Sequence, residues 1–280
     1  MINKISKGII FILAATLAFA IMNVMAKDLS GMHPMQVVFL RAFGTYIFIF
    51  PYMLHNRISF IGNHPKILFL RGLLGLLSLS AFFVVIQRIP LGSAISIRYL
   101  GPIFGAILAF YFLKEKINKF QWLSFFIAFL GVIILKGFDL RIDIVSLVLI
   151  LISAVLVGCV FVLIRYLGDK EHYLTIIHYF MLITLIVSIF FTSSWRMPFP
   201  NEWISAFGIG IFGLVGQIFM TRAFQLEAAS IIAPFKYMEL VYALILGYVY
   251  FGESYRLFAF AGIFFIVTGM ILNVYFKKLN

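Results

Sequence analysis

Five ionisable side chains stand inside long apolar runs of this 280-residue chain: Arg41, Arg98, Arg222, Lys236 and Glu239. A charge embedded in apolar sequence is costly to keep, so it tends to face a cavity, a partner or a ligand. Lys236 and Glu239 are three positions apart, a spacing that makes them neighbours on a helix. Two readings of the pair stay open. One is an internal salt bridge that lets both charges be buried. The other is a carboxylate that takes up a proton while the lysine binds an anionic group, which would couple proton movement to ligand movement. Four cations against one glutamate favour ligands carrying a carboxylate or phosphate. A guanidinium grips either group in a bidentate fork, a role that suits Arg41 and Arg98 better than a lysine. At least one of Arg41, Arg98 and Lys236 is expected to touch substrate, with helix carbonyls as the competing partners. Arg222 lies near the end of its run and is read as an interfacial anchor.

The elements that must position these groups follow from composition. The chain is 64% hydrophobic and 11% charged, with a mean hydropathy of +1.10, against about 25% charged residues in a soluble domain. The apolar residues come in blocks of roughly 20, the helix length that spans about 30 Å of hydrocarbon. The fold expected is all-α and integral to a membrane. Ten spans are read, at 7–27, 34–54, 67–87, 91–113, 118–136, 144–165, 173–192, 203–225, 229–251 and 256–276. Lys4 and Lys7 give the first span the look of a signal peptide, but it lacks the cleavage pattern and is kept as a helix. Twelve lysines and arginines, Arg71 among them, fall at one face and six at the other, which puts both termini in the cytoplasm. The formal charge of +12 is thus a topology signal that also favours anionic lipid, and no nucleic-acid partner is expected.

The chain is also a duplicated half. At an offset of 138, Gly75 meets Gly213, Gln87 meets Gln225, Tyr99 meets Tyr237, Glu115 meets Glu253 and Gly131 meets Gly269, while Arg98 falls on Lys236. The halves are residues 1–137 and 138–280, each of five helices. Because five is odd, the second copy enters from the opposite face, and the repeats are inverted. Secondary transporters use that design to build a midplane site that opens alternately to either side. Arg41 and Arg98 stand about seven residues into their spans and so roughly 10 Å below the outer surface, with Lys236 at the matching depth from the other side.

Three motifs in the first half, Pro90-Leu91-Gly92-Ser93-Ala94, Tyr99-Leu100-Gly101-Pro102 and Leu113-Lys114-Glu115-Lys116, are echoed in the second by Ala228-Ala229-Ser230, Pro234, Tyr237-Met238-Glu239 and Phe251-Gly252-Glu253-Ser254. They resemble the signature of the drug/metabolite transporter superfamily, specifically its EamA-type members. The resemblance covers essentially the whole chain and implies ten helices in a five-plus-five layout. Members of that superfamily move amino acids, nucleotide-like metabolites, vitamins and drugs in either direction, so the motifs speak to fold more than to substrate.

Glu115 and Glu253 are expected in interfacial turns, each capping the first amides of the helix that follows. Tyr99 and Tyr237 recur beside the cations and are read as substrate-binding, with helix packing as the alternative. Pro102 and Pro234 are read as bends that assist gating, and Pro51 as a plain terminator. Gly101, Gly105 and Ala109, matched by Ala243 and Gly247, suggest close contact between spans four and nine. There is no phosphate-binding loop and no HExxH. Asp139 and Asp143 look like part of a solvated loop cluster, His178 like a hydrogen-bonded packing residue, and the single Cys159 rules out an internal disulfide. No cofactor or metal is expected, and no enzymatic activity. The reading is a transporter in the inner membrane, exporting or exchanging small metabolites such as amino acids. Uptake of a nucleotide-like metabolite or vitamin is the alternative, and an intramembrane enzyme or lipid-modifying protein is the rival from another class.

Overall fold

A computed structural model describes residues 7–113, 119–226, 235–236, 238–255 and 257–278. Glu115, Pro234 and Tyr237 lie outside the described residues, so the roles expected of them are not placed. The described residues form α1 (Lys7–Asp28), α2 (Pro34–His55), α3 (Pro65–Ile86), α4 (Leu91–Arg98), α5 (Gly101–Leu113), α6 (Lys119–Phe138), α7 (Ile144–Leu167), α8 (Tyr173–Ile189), α9 (Trp203–Leu226), α10 (Met238–Phe251) and α11 (Leu257–Lys278). Six segments are long and apolar enough to cross a membrane, the fourth being α4 and α5 taken together, and four shorter apolar helices bring the described total to ten. Large apolar side chains such as Phe48, Phe112, Ile133, Phe190 and Ile204 face outward, as expected when the surrounding solvent is hydrocarbon.

Helix starts follow local chemistry. Pro34 and Pro65 open α2 and α3 at the position where a missing N–H costs no helical bond. The Asp143 carboxylate accepts from Ser146 N at 2.9 Å and caps α7. Pro51 does not end α2, as expected of it, because the helix runs on to His55. So close to the end, its ring removes only one late backbone bond. The fourth span is not a continuous helix either. It breaks at Tyr99 and Leu100, where Leu100 N turns back to Ile97 O at 3.0 Å, and α5 restarts with Pro102 at its second position.

The packing maps onto itself when the two halves are exchanged. The first helix, α1, lies on α9 and α10, and its counterpart α7 lies on α3 and on α4 with α5. Likewise α2 on α9 mirrors α8 on α3, while α2 with α8 and α6 with α11 are self-paired. Glycines set these distances. A Cβ on Gly131 would sit 2.6 Å from Gly262 O and from Ile266 N, and one on Gly269 would sit 2.6 Å from Ser124 O and from Ala128 N. Those are the same contacts displaced by 138 positions. The Gly101 and Gly105 stripe packs on Val157 and Gly158 of α7, so it does not join spans four and nine as expected. Those spans meet through α4 and α10 instead, with Gly92 against Leu244.

At the crossing of α2 on α9, a Cβ on Gly210 would lie 2.5 Å from Gly44 Cα. Gly210→Ala forces two backbones apart and is expected to cost about 1–3 kcal/mol. Thermal unfolding of the purified protein in detergent checks this, and an unchanged Tm would show that the crossing is not tightly packed.

Candidate functional site

A central cavity of about 90 Å³ lies among α1, α2, α3, α4, α7, α8 and α9 beside the start of α10. Arg41, Arg98, Tyr99, Lys236 and Glu239 all line it. Arg41, only 3% exposed, donates from Nε to Met22 Sδ at 3.1 Å and from Nη2 to Gln217 Oε1 at 3.5 Å. Its guanidinium stands 5.3 Å from the Phe180 ring centre. A second guanidinium, that of Arg71, stands 4.6 Å from the same ring. Gly213 leaves room beside the Arg41 stem and Gly75 beside Arg71 and Phe180, so the repeated glycines clear space for these groups.

Arg71 corrects its assignment to a membrane face, for it is 2% exposed and points into the cavity. The helix begins at Pro65, earlier than the apolar run, which makes Arg71 its seventh residue. The signal that could have found it is Pro65 at the first helical position. Asn23, Gln217, Phe161 and Phe180 also line the cavity without having been singled out. As single polar or aromatic residues in apolar helices they carry no spacing signal.

At the opposite wall, Glu239 accepts from Asn23 Nδ2 at 3.0 Å and from the Tyr99 hydroxyl at 2.7 Å. The Tyr99 hydroxyl also reaches Lys236 O at 2.9 Å. Lys236 Nζ lies 4.4 Å from the Phe161 ring centre and 5.7 Å from that of Tyr99, and Arg98 lies 4.1 Å from that of Phe82. No direct Lys236–Glu239 ion pair forms among the described residues, so the salt bridge, one of the two readings of the pair, is not seen. Both carboxylate oxygens are occupied by Asn23 and Tyr99, and the ammonium is held over rings. Arg222 is exposed beside Tyr173, and His178 bonds the Tyr46 hydroxyl at 3.3 Å away from the cavity lining.

A second polar cluster organises the start of α4. Among the described residues, Glu253 caps α4 and not the helix that follows it. Its oxygens accept Leu91 N at 3.0 and 2.9 Å, and it pairs with Lys27 Nζ at 2.5 Å. The Tyr255 hydroxyl donates to Glu253 at 3.0 Å and accepts Gly92 N at 3.1 Å, and burial beside that carboxylate pushes its pKa up. Asp139 is not solvated as expected but 3% exposed, accepting from Ser93 Oγ at 2.8 Å and Arg141 Nε at 2.8 Å. The apolar approach of α4 and the loop excludes water, and Arg141 and Ser93 replace it.

The model of the EamA-like transporter family matches residues 6–136 and again 144–275. The chain belongs to the EamA-like transporter family. It is 30% identical to the pseudopaline exporter CntI of Pseudomonas aeruginosa over 99% of each chain. It is 27% identical to an S-adenosylmethionine uptake transporter of Rickettsia felis, over 97% of this chain and 93% of the relative. Solute carrier family 35 member G1 of Mus musculus is 28% identical, over 88% of this chain and 72% of the relative. A solved crystal structure with 15% identity superimposes with a TM-score of 0.70 over 98% of both chains, which shows the shared fold. As an EamA-like chain this is a multi-pass membrane protein of a transporter type whose substrates are small molecules.

Burial pushes the Asp139 carboxyl up, but bonds from Arg141 and Ser93 outweigh it and hold the pKa below the usual carboxylate value. The stability it contributes is therefore fully present above the unfolded value of about 3.9 and is lost as pH falls through the lower folded value. Melting temperatures of the native protein and Asp139→Asn, measured from about pH 7 down to about pH 3, are expected to differ near neutrality and converge in acid. Parallel curves would show that the Arg141 contact is not a source of stability.

Proposed function

We propose that this EamA-like protein is a secondary carrier that exports or exchanges amino acids or related zwitterionic and anionic metabolites by alternating access. Its place would be the inner membrane of a bacterium, with both termini cytoplasmic. The observation that carries the reading is the cavity itself, where, among the described residues, Arg41, Arg71, Arg98 and Lys236 face a single carboxylate, Glu239. An anionic group entering that space replaces water around cations that have few protein partners. The likeness to an exporter along almost the whole chain supports the outward direction. Uptake of a nucleotide-like metabolite is the second reading, favoured by the relative named for S-adenosylmethionine uptake and by the Tyr99 and Phe161 rings in the cavity wall.

Glu239 is the proposed coupling residue. Its carboxylate ties α10 to Asn23 of α1 and Tyr99 at the end of α4, both in the other half of the chain. Protonation removes the charge that both donors serve, so it loosens a link between the halves. That gives a proton a handle on the relative movement of the two repeats. Tyr237 and Pro234 keep their proposed roles in substrate binding and bending, and Pro102 its role beside the break after α4.

Purified protein in liposomes loaded with a panel of amino acids, nucleosides, nucleotides and vitamins tests this. A zwitterionic or anionic member should exchange unchanged across the membrane. A pH gradient should drive its accumulation, and Glu239→Gln should lose that accumulation by about tenfold or more while retaining counterflow. Chemical conversion without movement would overturn the carrier reading, movement of cations alone would overturn the substrate reading, and gradient-driven flux intact in Glu239→Gln would remove the coupling role.

A further inference from the structure

Resting on the carrier reading, we propose that the ligand bears two separate anionic groups, one held by Arg41 and Arg71 beside Phe180 and the other by Arg98 and Lys236. Arg71 then becomes a specificity-determining residue, the one that separates ligands with two negative groups from those with one.

The first subsite is visible as donors left without acceptors. Arg41 Nη1, Arg71 Nε and Nη1, and Gln217 Nε2 are buried and make no hydrogen bond. Arg41 and Arg71 are almost fully enclosed, and their contact with one Phe180 ring supplies attraction but no acceptor. A buried guanidinium with open N–H groups is expensive to leave unsatisfied, and a carboxylate offers the paired oxygens that match its fork. The second subsite has one more open donor, Arg98 Nε, beside the Lys236 ammonium. Among the described residues, Glu239 is the one carboxylate lining the cavity, and it is already engaged by Asn23 and Tyr99.

Charge sets the number of anionic groups. Among the described residues, four cationic side chains less one carboxylate leave three positive charges in the lining in their ordinary ionised forms. A monoanion compensates one of them, and a zwitterion compensates none in sum. Its lone pairs also cannot serve both groups of donors, since a carboxylate has only about four acceptor positions concentrated at one point. A ligand with two acidic groups on one skeleton fits both the charge and the division of the open donors.

The test uses the full-length protein in detergent and measures binding of acetate, malonate, succinate, glutarate and adipate by calorimetry and thermal shift at constant ionic strength. At least one dicarboxylate should bind about tenfold or more tightly than acetate, and its monomethyl ester should fall back to the acetate level. Arg71→Gln should erase the preference, lowering the affinity for the diacid by about tenfold or more to the level of its monomethyl ester, a ratio that a merely structural role would not move. Arg71→Lys, which keeps the charge without the fork, should restore part of the preference and covers the case in which the glutamine variant fails to fold. If no diacid exceeds acetate, or if Arg71→Gln preserves the preference, the two-anion proposal is overturned while the carrier reading stands. Failure of every anion to bind, with zwitterions also silent, would overturn both.

Discussion

A cation withdrawn from water must be neutralised, bonded or stacked, and much of this molecule is arranged around four that are withdrawn together. The rings of Phe82, Phe161 and Phe180 serve Arg98, Lys236 and the Arg41–Arg71 pair in turn. Each cation–aromatic contact is modest, at about 0.5–2 kcal/mol. None supplies an acceptor, so the lining holds the charges in place without quenching them. Had the designable alternative been used, a glutamate opposite each arginine, the cavity would be neutral and closed to an anionic ligand.

Holding these groups together requires helices that approach closely at some levels and part at others. Glycine provides the close approach at Gly44 with Gly210 and at Gly131 with Gly262, where backbones touch. It also provides the opening, at Gly75 and Gly213, where the missing side chain leaves room for a guanidinium. Without a strong hydrophobic drive between helices in lipid, such backbone contact is a main source of association. The break after Arg98 belongs to the same economy of space. It ends α4 at the cavity, so that Tyr99 can reach across to Glu239 and the second half.

The architecture was legible in the sequence because hydrocarbon imposes one period and one length. Ten apolar blocks and an offset of 138 led to the duplicated bundle with few alternatives. Arg41, Arg98, Tyr99, Lys236 and Glu239 share a cavity because charges deep in apolar runs have few other places to go. Arg71 escaped because it sits close to a helix start, where an arginine ordinarily reaches the interface. The partners of Glu239 were not legible for a related reason. Spacing identifies neighbours on one helix, whereas Asn23 and Tyr99 arrive from helices far away in sequence. Asp139 and Glu253 were placed in loops correctly, yet burial of those loops against α4 depends on tertiary packing that local pattern does not record.

The uncompensated lining also makes the protein an electrical object. A membrane potential acts on charge at about 2.3 kcal/mol per elementary charge for each 100 mV that the charge traverses. On the proposed alternating-access cycle, a change in the face to which the cavity opens would move the field that drops across the closed side relative to Arg41, Arg71, Arg98 and Lys236, so that the empty protein would carry charge through part of the voltage. The proposed anion would cancel some of that charge. On that reading voltage would sort the empty carrier between its two orientations more strongly than the loaded one, and the return step, rather than the loaded step, would be where the membrane potential does most of its work.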